Sequence, residues 1–543
     1  MKTIKATDYN IYPEKEVTVE LSIMLNDLKA SDEEKTVVFE RGEYHICSEK
    51  CKQYALHITN TAGEKEFKPG EKPYINAVPL YFGNISNLCF DGNGSVFVID
   101  GKVTNIAIEN CKNIELRNIE IKHVRPDMHE LKVVKKGTFS VDFEIDAETC
   151  YKVENNKLMF LGKDYKVCSD KKAKLANWIG LIREESPEKI ERVLHPLASS
   201  LSVNDLGDRK IRVKYPATFR FKPGDRFYIY DVRRQYAGIF VNRSSNVKLK
   251  NITQRFNYSL ALVAQNTENI TADGLVFAPE NDSPRKMASV ADFIQFCMCR
   301  GKLSVKNSVF DGAGDDCLNV HGVHFKIVNV QNDEITVRFM HPQTFGFNPI
   351  EKGDSIAFID VQTLLEKGTA VVENSELIDE YNIRLKLNCA KDAKVSDVVE
   401  NISACPELYF ENNTMTRIIT RGLLITTREK VNIENNRFIS TSMSAILLSD
   451  DAKNWYESGM CRDVTIKNNS FDYCGQTPIL IKPENSKYAG AVHKNIKIVD
   501  NTFKNYSGFC INAASTDDIL IENNSMKNDK KIKYSNCGNI IID

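Results

Sequence analysis

"KVNIENNRF" (430–438) joins a stretch of alternating polar and apolar residues to a pair of asparagines. The same phrase recurs as ENNTM at 411, KNNSF at 467, VDNTF at 499 and ENNSM at 522, and weaker copies begin at 117, 250, 273 and 306. Successive copies therefore lie either about 23 or about 33 residues apart. The shorter step has room for three short strands, which indicates a right-handed parallel β-helix in which the longer steps carry an extended loop.

The asparagines fit this structure. Asn tolerates the left-handed corner conformation, and stacked side-chain amides can hydrogen-bond from coil to coil. Residues 17–30 have helical periodicity and precede the strand-like KTVVFERGEYHI (35–46). We expect an amphipathic helix there to cover the open first coil.

Two gaps interrupt the repeat, one between the copies at 117 and 250 and one between those at 306 and 411. Subtracting one coil from each gap leaves insertions of about 110 and about 80 residues. Both are rich in strand patterns and share a Gly-Asp-x5-Asp phrase, at 224–231 and 353–360. We predict two related, small β-barrel-like domains inserted into one all-β solenoid. The predicted order is an N-terminal cap with the first coils (1–124), inserted domain 1 (125–235), coils with the candidate catalytic aspartates (236–322), inserted domain 2 (323–400) and C-terminal coils (401–543).

Composition excludes some classes of partner. Lys and Arg number 72 against 73 Asp and Glu, and there is no polybasic block, so nucleic acid is not an expected partner. No apolar stretch is long enough to span a membrane or act as a secretory leader, so we expect either a cytoplasmic protein or a chain without its leader. The 15 cysteines are odd in number, which indicates mainly buried free thiols, with a few disulfides as the alternative.

"GAGDDCLNVHG" (312–322) contains adjacent aspartates, Asp315 and Asp316. Asp292 precedes Asp315 by one short step of the repeat, so these carboxyl groups should lie on one face of neighbouring coils, roughly 5 to 10 Å apart. That range suits the acid and base of a glycosidase, and one of three such close carboxyls should hold a proton. The alternatives are a simple polar turn, since Gly and Asp are turn residues, and a calcium site.

Further polar and aromatic residues are candidates for sugar binding. An aromatic ring can stack on the C–H face of a sugar, while charged and amide groups bond its hydroxyls. The alternatives are a loop packed on the solenoid with solvated charges, and a structural histidine. The predicted substrate-binding residues are Asn319, His321, Arg421, Arg428, Asp450, Asp451, Trp455 and Glu457.

Three blocks together, SVADFIQFC to NVHG (289–322), RGLLITTREKVNIENNRF (421–438) and AILLSDDAKNWYESGMCRDVTIKNNSF (445–471), resemble glycoside hydrolase family 110, the α-1,3-galactosidases. The resemblance implies an inverting enzyme without metal or other cofactor, acting on terminal α-1,3-galactose of glycans such as blood group B or linear α-galactosyl epitopes. It also implies that Asp292 is the general acid and that Asp315 and Asp316 activate water, with the choice of base left open. Members are usually secreted or periplasmic.

The polygalacturonases are a more distant resemblance. Their Arg-Ile-Lys motif, which grips a uronate carboxylate, has no counterpart here, which favours a neutral sugar. Two other functions stay open: another β-helix glycosidase with changed sugar or linkage specificity, and a non-catalytic carbohydrate-binding β-helix. The expected partner is an oligosaccharide or glycoconjugate, and exposed flanks would permit a homo-oligomer. The sequence does not decide whether a fucose branch on the acceptor is accepted.

Overall fold

The computed structural model describes residues 2–61, 70–163, 166–168, 178–218, 220–231, 233–526 and 531–543. Its centre is a solenoid of parallel strands, as the repeat predicted. One sheet of the solenoid contains 22 strands in two rows, which long strands such as Ser86–Asp100 join. They are Lys2–Lys5, Lys15–Glu16, Lys35–Val38, Glu43–Cys47, Ser86–Asp100, Lys112–His123, Ser245–Gln254, Glu268–Asp273, Val276–Phe277, Arg300–Lys306, Val309–Ala313, Glu407–Glu411, Thr414–Ile418, Lys430–Glu434, Arg437–Thr441, Asp463–Lys467, Ser470–Cys474, His493–Val499, Thr502–Lys504, Thr516–Glu522, Ser525–Met526 and Gly538–Ile542.

A second sheet of the solenoid carries the candidate site. It contains Leu80–Gly83, Ile106–Glu109, Ile239–Asn242, Leu262–Gln265, Ile294–Cys297, Leu318–Val323, Leu423–Thr426, Ile446–Leu448, Ile479–Ile481, Ile511–Ala514 and Ile532–Ser535, with the short strand Glu457–Ser458 paired antiparallel to Leu318–Val323. In the interior of the solenoid, residues of the same type stack from coil to coil. The rings of Phe438, Phe471 and Phe503 follow one another at 4.8 and 4.9 Å, so each coil buries its apolar face only against its neighbours.

The two asparagines of each pair have different structural roles. Asn435 and Asn468, the first of each pair, have positive φ at a corner. The second asparagines are buried and stacked: Asn436 Oδ1 accepts the backbone N–H of Asn413 at 2.9 Å, and its Nδ2 donates to Asn469 Oδ1 at 3.0 Å. The repeated phrase therefore encodes both a turn and a hydrogen-bonded ladder along the solenoid.

A helix lies near the N-terminal end, where the sequence predicted one. The helix Thr18–Asp27 is followed by the 3-10 turn Leu28–Ala30, and two more 3-10 turns span Ala6–Tyr9 and Ser48–Lys50. Leu21, Met24 and Leu25 of the helix are buried in the solenoid core. A two-stranded antiparallel pair, Lys52–Ala55 and Ile75–Val78, completes this end.

The first inserted domain leaves the solenoid after strand Lys112–His123 and returns before Ile239–Asn242. It is a seven-stranded antiparallel sheet with a three-stranded sheet beside it. Its strands are Met128–Lys136, Ser140–Ile145, Cys150–Glu154, Lys157–Leu161, Lys166–Cys168, Trp178–Arg183, Ser186–Leu194, Ser202–Gly207, Lys210–Lys214 and Arg226–Tyr230.

The second inserted domain is a closed six-stranded barrel. Its strands are Phe325–Gln331, Glu334–Arg338, Ser355–Ile359, Glu366–Leu377, Asn382–Leu387 and Val398–Asn401. The Gly-Asp phrase forms the same turn in both insertions, because Asp225 Oδ2 accepts the N–H of Lys222 at 2.9 Å and Asp354 Oδ2 accepts that of Glu351 at 2.8 Å.

Every cysteine whose side chain the structure describes is a free thiol. In the described part of the chain, no helix is long and apolar enough to span a membrane.

Candidate active site

Strand register brings the predicted catalytic residues together. Ile294 pairs with Leu318, and Leu318 pairs with Leu423, in three successive coils. Asp292, Asp316 and Arg421 each lie two positions before these residues, so they occupy equivalent places in the stack. Asp292 is therefore stacked on Asp316. The short step of the repeat had aligned Asp292 with Asp315, but this coil is one residue longer than that step.

Asp292 is deeply buried, with 2% of its surface exposed. Its Oδ1 accepts no hydrogen bond from any residue that the structure describes. Burial raises the pKa of Asp292 well above its ordinary value, and the nearby charges of Asp315 and Asp316 raise it further. This carboxyl group is therefore suited to be protonated near neutral pH.

Asp315 has the opposite electrostatics. Arg234 Nη2 donates to its Oδ2 at 2.5 Å, and Thr420 Oγ1 lies 3.1 Å from its Oδ1. Burial alone would raise the pKa of Asp315, but the charges of Arg234 and Arg421 and the polar contacts with Arg234 and Thr420 together outweigh it, so the pKa is lowered. Asp315 is therefore held as a carboxylate.

Asp316 is the most firmly bonded of the three. Its Oδ1 accepts the backbone N–H of Arg421 at 2.9 Å and the hydroxyl of Thr420, and its Oδ2 accepts Arg421 Nη1 at 2.8 Å. Burial raises the pKa of Asp316 despite the Arg421 charge, and the negative charge of Asp315 adds to the increase. Its side chain is 4% exposed, against 26% for Asp315, so Asp315 is the more open to the pocket.

These carboxyl groups lie in a pocket of about 530 Å³. Its walls come from the solenoid, both inserted domains and the loop that carries Trp455. The lining residues are Asn60, Arg192, Arg234, Asp292, Asp315, Asp316, Asn319, Gln343, Thr420, Arg421, Leu424, Met443, Trp455 and Glu457. Among the described residues, no group of three or more His, Cys, Asp or Glu is arranged to hold a metal ion.

Two predicted binding residues are bonded to each other at one side of the pocket. Asn319 Nδ2 donates to Glu457 Oε1 at 2.9 Å, while Asn319 Oδ1 is buried and has no partner among the described residues. Buried polar atoms are normally hydrogen-bonded, so the Asn319 carbonyl is a position where a ligand hydroxyl could donate, and Asp292 Oδ1 is open to a hydrogen bond with a ligand.

His321 lies behind these residues. Its Nδ1 is 2.7 Å from the carbonyl of Gly322, which can only accept, so Nδ1 carries the hydrogen and Nε2 accepts the amide of Gln295 at 2.8 Å. The same Nε2 is 3.9 Å from Glu457 Oε1. His321 does not line the 530 Å³ pocket, and its hydrogen bonds go to Gly322 and Gln295.

Trp455 lines the pocket and is 58% exposed, with its ring 5.5 Å from that of His341 in the barrel. Its role as a stacking surface for a sugar stays a prediction. Asp451 is placed differently, because its carboxylate accepts the backbone N–H groups of Lys453, Asn454 and Trp455. It holds the loop in shape and does not line the pocket.

Arg428 and Asp450 also lie apart from the pocket. Arg428 donates to Glu400 at 2.7 Å and to Glu366 at 2.9 Å, and so joins the solenoid to the barrel. Asp450 is wholly buried and accepts His324 Nε2 at 2.7 Å. Neither residue lines the cavity, since Arg428 is paired with Glu400 and Glu366 and Asp450 is hydrogen-bonded to His324.

The repeat pattern does not predict some of the residues that line the pocket. Arg234 follows the first inserted domain, and Arg192 and Gln343 belong to the inserted domains, where no coil spacing applies. Thr420 could have been found, because it directly precedes Arg421 in the stacked position.

Comparisons with known proteins agree with this architecture. A family model described as "GLAA-B beta-barrel domain II" matches residues 334–399, and one described as "Right handed beta helix region" matches residues 421–543. An α-1,3-galactosidase A of Bacteroides thetaiotaomicron is 33% identical over 98% of this chain and 94% of its own.

Two further relatives carry the same name. That of Bacteroides fragilis is 32% identical over 96% of this chain and 87% of its own, and that of Akkermansia muciniphila is 31% identical over 91% and 86%. The fold, the barrel and full-length identity above 30% together show that the chain belongs to the α-1,3-galactosidases of glycoside hydrolase family 110.

Proposed function

We propose that this protein is an inverting exo-glycosidase that removes terminal α-1,3-linked galactose from glycans such as blood group B or linear α-galactosyl epitopes. The observation that carries the proposal is a single pocket in which Asp292 has a raised pKa and Asp315 a lowered one. Two carboxyl groups whose environments separate their pKa values form an acid and base pair. The named activity of the relatives supplies the sugar and the linkage.

Asp292 is the proposed general acid. Departure of the glycosidic oxygen requires a proton, and a buried carboxyl surrounded by negative charge keeps its proton near neutral pH. Its unpartnered Oδ1 supports this role, because no described residue competes with the substrate oxygen for it.

Asp315 and Asp316 are the proposed pair that activates water. Both oxygens of Asp316 are bonded to Thr420 or Arg421, so this group is suited to orient the water. Asp315 is ionised and more exposed, which favours it as the group that accepts the proton. In an inverting enzyme the water attacks from the face opposite the leaving group, and the two sets of carboxyls are about 6.5 to 9.5 Å apart.

The form of the pocket supports exo action. Parts of four regions of the chain surround it, including Asn60 near the N-terminus, Arg192, Gln343 and Trp455. A cavity of about 530 Å³ with such walls holds the end of a glycan, in contrast to an open groove that a long polymer could cross.

The test is galactose release from a set of disaccharides that differ only in linkage. We expect release from Galα1-3Gal, with Galα1-4Gal and Galα1-6Gal cleaved far more slowly. Asp292→Asn should lower kcat/KM by about 10²- to 10⁴-fold, the usual contribution of a general acid. Binding of Galα1-3Gal without release by the unmodified protein would contradict the enzymatic proposal and favour a carbohydrate-binding protein.

A further inference from the structure

An exposed tryptophan of the first inserted domain lies outside the pocket. Trp178 begins the strand Trp178–Arg183 and is 46% exposed. In the antiparallel pairing with Ser186–Leu194, Trp178 is opposite Leu194 and Gly180 is opposite Arg192. Because side chains alternate along a strand and opposed residues share a face, Trp178 and Arg192 lie on the same side of this sheet.

That side faces the solenoid. A Cβ atom built on Gly180 would come within 3.1 Å of Cδ1 of Ile419, the residue just before Thr420. Gly180 therefore allows the sheet to approach the coil closely, and the residues on its face, Trp178 and Arg192, are directed towards the coil that supplies Thr420 and Arg421.

The backbone of Trp178 is anchored beside the catalytic loop. The hydroxyl of Tyr230 is 3.4 Å from the carbonyl oxygen of Trp178 and 3.4 Å from that of Gly314. Gly314 directly precedes Asp315 in the sequence. One buried tyrosine thus connects the start of the tryptophan strand to the loop that holds the proposed base.

Arg192 connects the tryptophan to the pocket. Its guanidinium carbon is 5.2 Å from the centre of the Trp178 ring, and Arg192 itself lines the pocket together with Met443. Arg192 is exposed, its Nη1 donates weakly to Met443 Sδ at 3.9 Å, and it has no carboxylate partner in the part of the chain that the structure describes. Its other donors are therefore available to a ligand at the solvent-facing edge of the pocket.

We propose that Trp178 and Arg192 form the binding site for the leaving-group sugar, the residue that carries the terminal galactose. The inference rests on the proposed function, in which the terminal galactose occupies the pocket above Asp292 and Asp315. The next sugar must then begin where the pocket ends, beside Arg192. Trp178 provides a ring for the C–H face of that sugar, and Arg192 provides hydrogen-bond donors for its hydroxyls.

The test compares a substrate that has a leaving-group sugar with one that lacks it. Galα1-3Gal has an acceptor galactose, whereas α-galactosyl fluoride gives the same galactose with only fluoride as leaving group. For Trp178→Ala, the ratio of kcat/KM on the disaccharide to kcat/KM on the fluoride should fall roughly tenfold, the effect of one lost aromatic contact. Arg192→Ala should lower the same ratio.

The control is Phe139→Ala, since Phe139 is an exposed aromatic residue of the same inserted domain that does not line the pocket. This variant should keep the unmodified ratio. Activity on the fluoride shows for each variant that the protein is folded. A ratio for Trp178→Ala within twofold of the unmodified value would overturn the inference. Failure of the proposed function is a separate result, because it would be seen in the unmodified enzyme as no galactose release from Galα1-3Gal.

Discussion

The three aspartates of the pocket, Asp292, Asp315 and Asp316, lie close together but have different neighbours. Arg234 bonds to Asp315 and Arg421 to Asp316, whereas Asp292 has no such bond to its Oδ1. Arg234 and Arg421 therefore favour the charged forms of Asp315 and Asp316, while burial and the neighbouring carboxylates favour the protonated form of Asp292. The pKa differences among the aspartates depend on which arginine contacts which aspartate. Of the two arginines, only Arg421 could be connected to the site from its sequence position.

The rate of hydrolysis should depend on pH through Asp292. Its pKa is raised, and the general acid must be protonated, so kcat/KM should fall as the pH rises through that pKa. The charge of Glu457 contributes to the raised pKa. Glu457→Gln removes that charge and retains an oxygen for Asn319, so we expect the alkaline limb of the kcat/KM profile to move to lower pH.

The matched control is Glu429→Gln, which removes an exposed glutamate outside the pocket. Its alkaline limb should coincide with that of the unmodified enzyme. An unchanged limb in Glu457→Gln would show that the Glu457 charge does not act on the general acid.

At the scale of elements, the coil is the unit that places the site. Each coil moves the chain by one strand spacing, so residues at equivalent positions stack automatically. The repeat phrase was therefore sufficient to predict the solenoid and to bring Asp292 near Asp315 and Asp316. The repeat step did not reveal that the coil after Asp292 is longer by a single position, because such small differences between corners leave no mark on the apolar pattern.

The asparagine ladder should be a measurable source of stability. Asn436 is 1% exposed, bonds the backbone N–H of Asn413 and donates to the carbonyl of Phe410. Asn436→Ala leaves these buried groups without partners, so we expect the free energy of unfolding to fall by about 2 kcal/mol. Chemical denaturation measures this change.

Asn432→Ala provides the comparison, because it makes the same chemical change on a half-buried strand position of the same coil. Its effect should be about 0.5 kcal/mol or less. Equal losses in the two variants would argue against a special contribution from the ladder.

At the scale of the whole molecule, the solenoid supplies the floor of the site and the inserted domains supply much of its walls. The insertions were visible in the sequence as gaps in the repeat, and their shared Gly-Asp turn was visible as a repeated phrase. Which of their residues reach the pocket was not visible, because Arg192 and Gln343 are brought there by how each domain packs on the coils. Arg428, predicted among the sugar-binding residues, lies outside the pocket for a related reason: an arginine that follows a solenoid strand can equally bond to a domain packed above it.

Attachment of the barrel to the solenoid should depend on Arg428. Glu400 is fully buried and its pair with Arg428 joins the barrel to the solenoid. Arg428→Met should lower the free energy of unfolding by about 3 kcal/mol, since it leaves a buried carboxyl without its partner. The kcat/KM on Galα1-3Gal, measured at a temperature where the variant is folded, should stay within threefold of the unmodified value.

Arg421→Met is the counterpart in the pocket. It removes the partner of Asp316 and should reduce kcat/KM by at least 100-fold, on the order expected for a group bonded to the reacting pair. A large loss of activity in folded Arg428→Met would instead place that residue in the catalytic site.

The central claim is that water attacks directly while Asp292 protonates the leaving oxygen. Proton NMR of the methyl β-glycoside of Galα1-3Gal during the first minutes of hydrolysis tests it, because the acceptor then has no free anomeric centre and the anomeric signal shows which form of galactose is released first. We predict β-galactose first, with α-galactose appearing only by later mutarotation, and release at least 100-fold slower from Asp292→Asn. Release of α-galactose first would contradict it, since retention requires a covalent intermediate on one of the carboxylates.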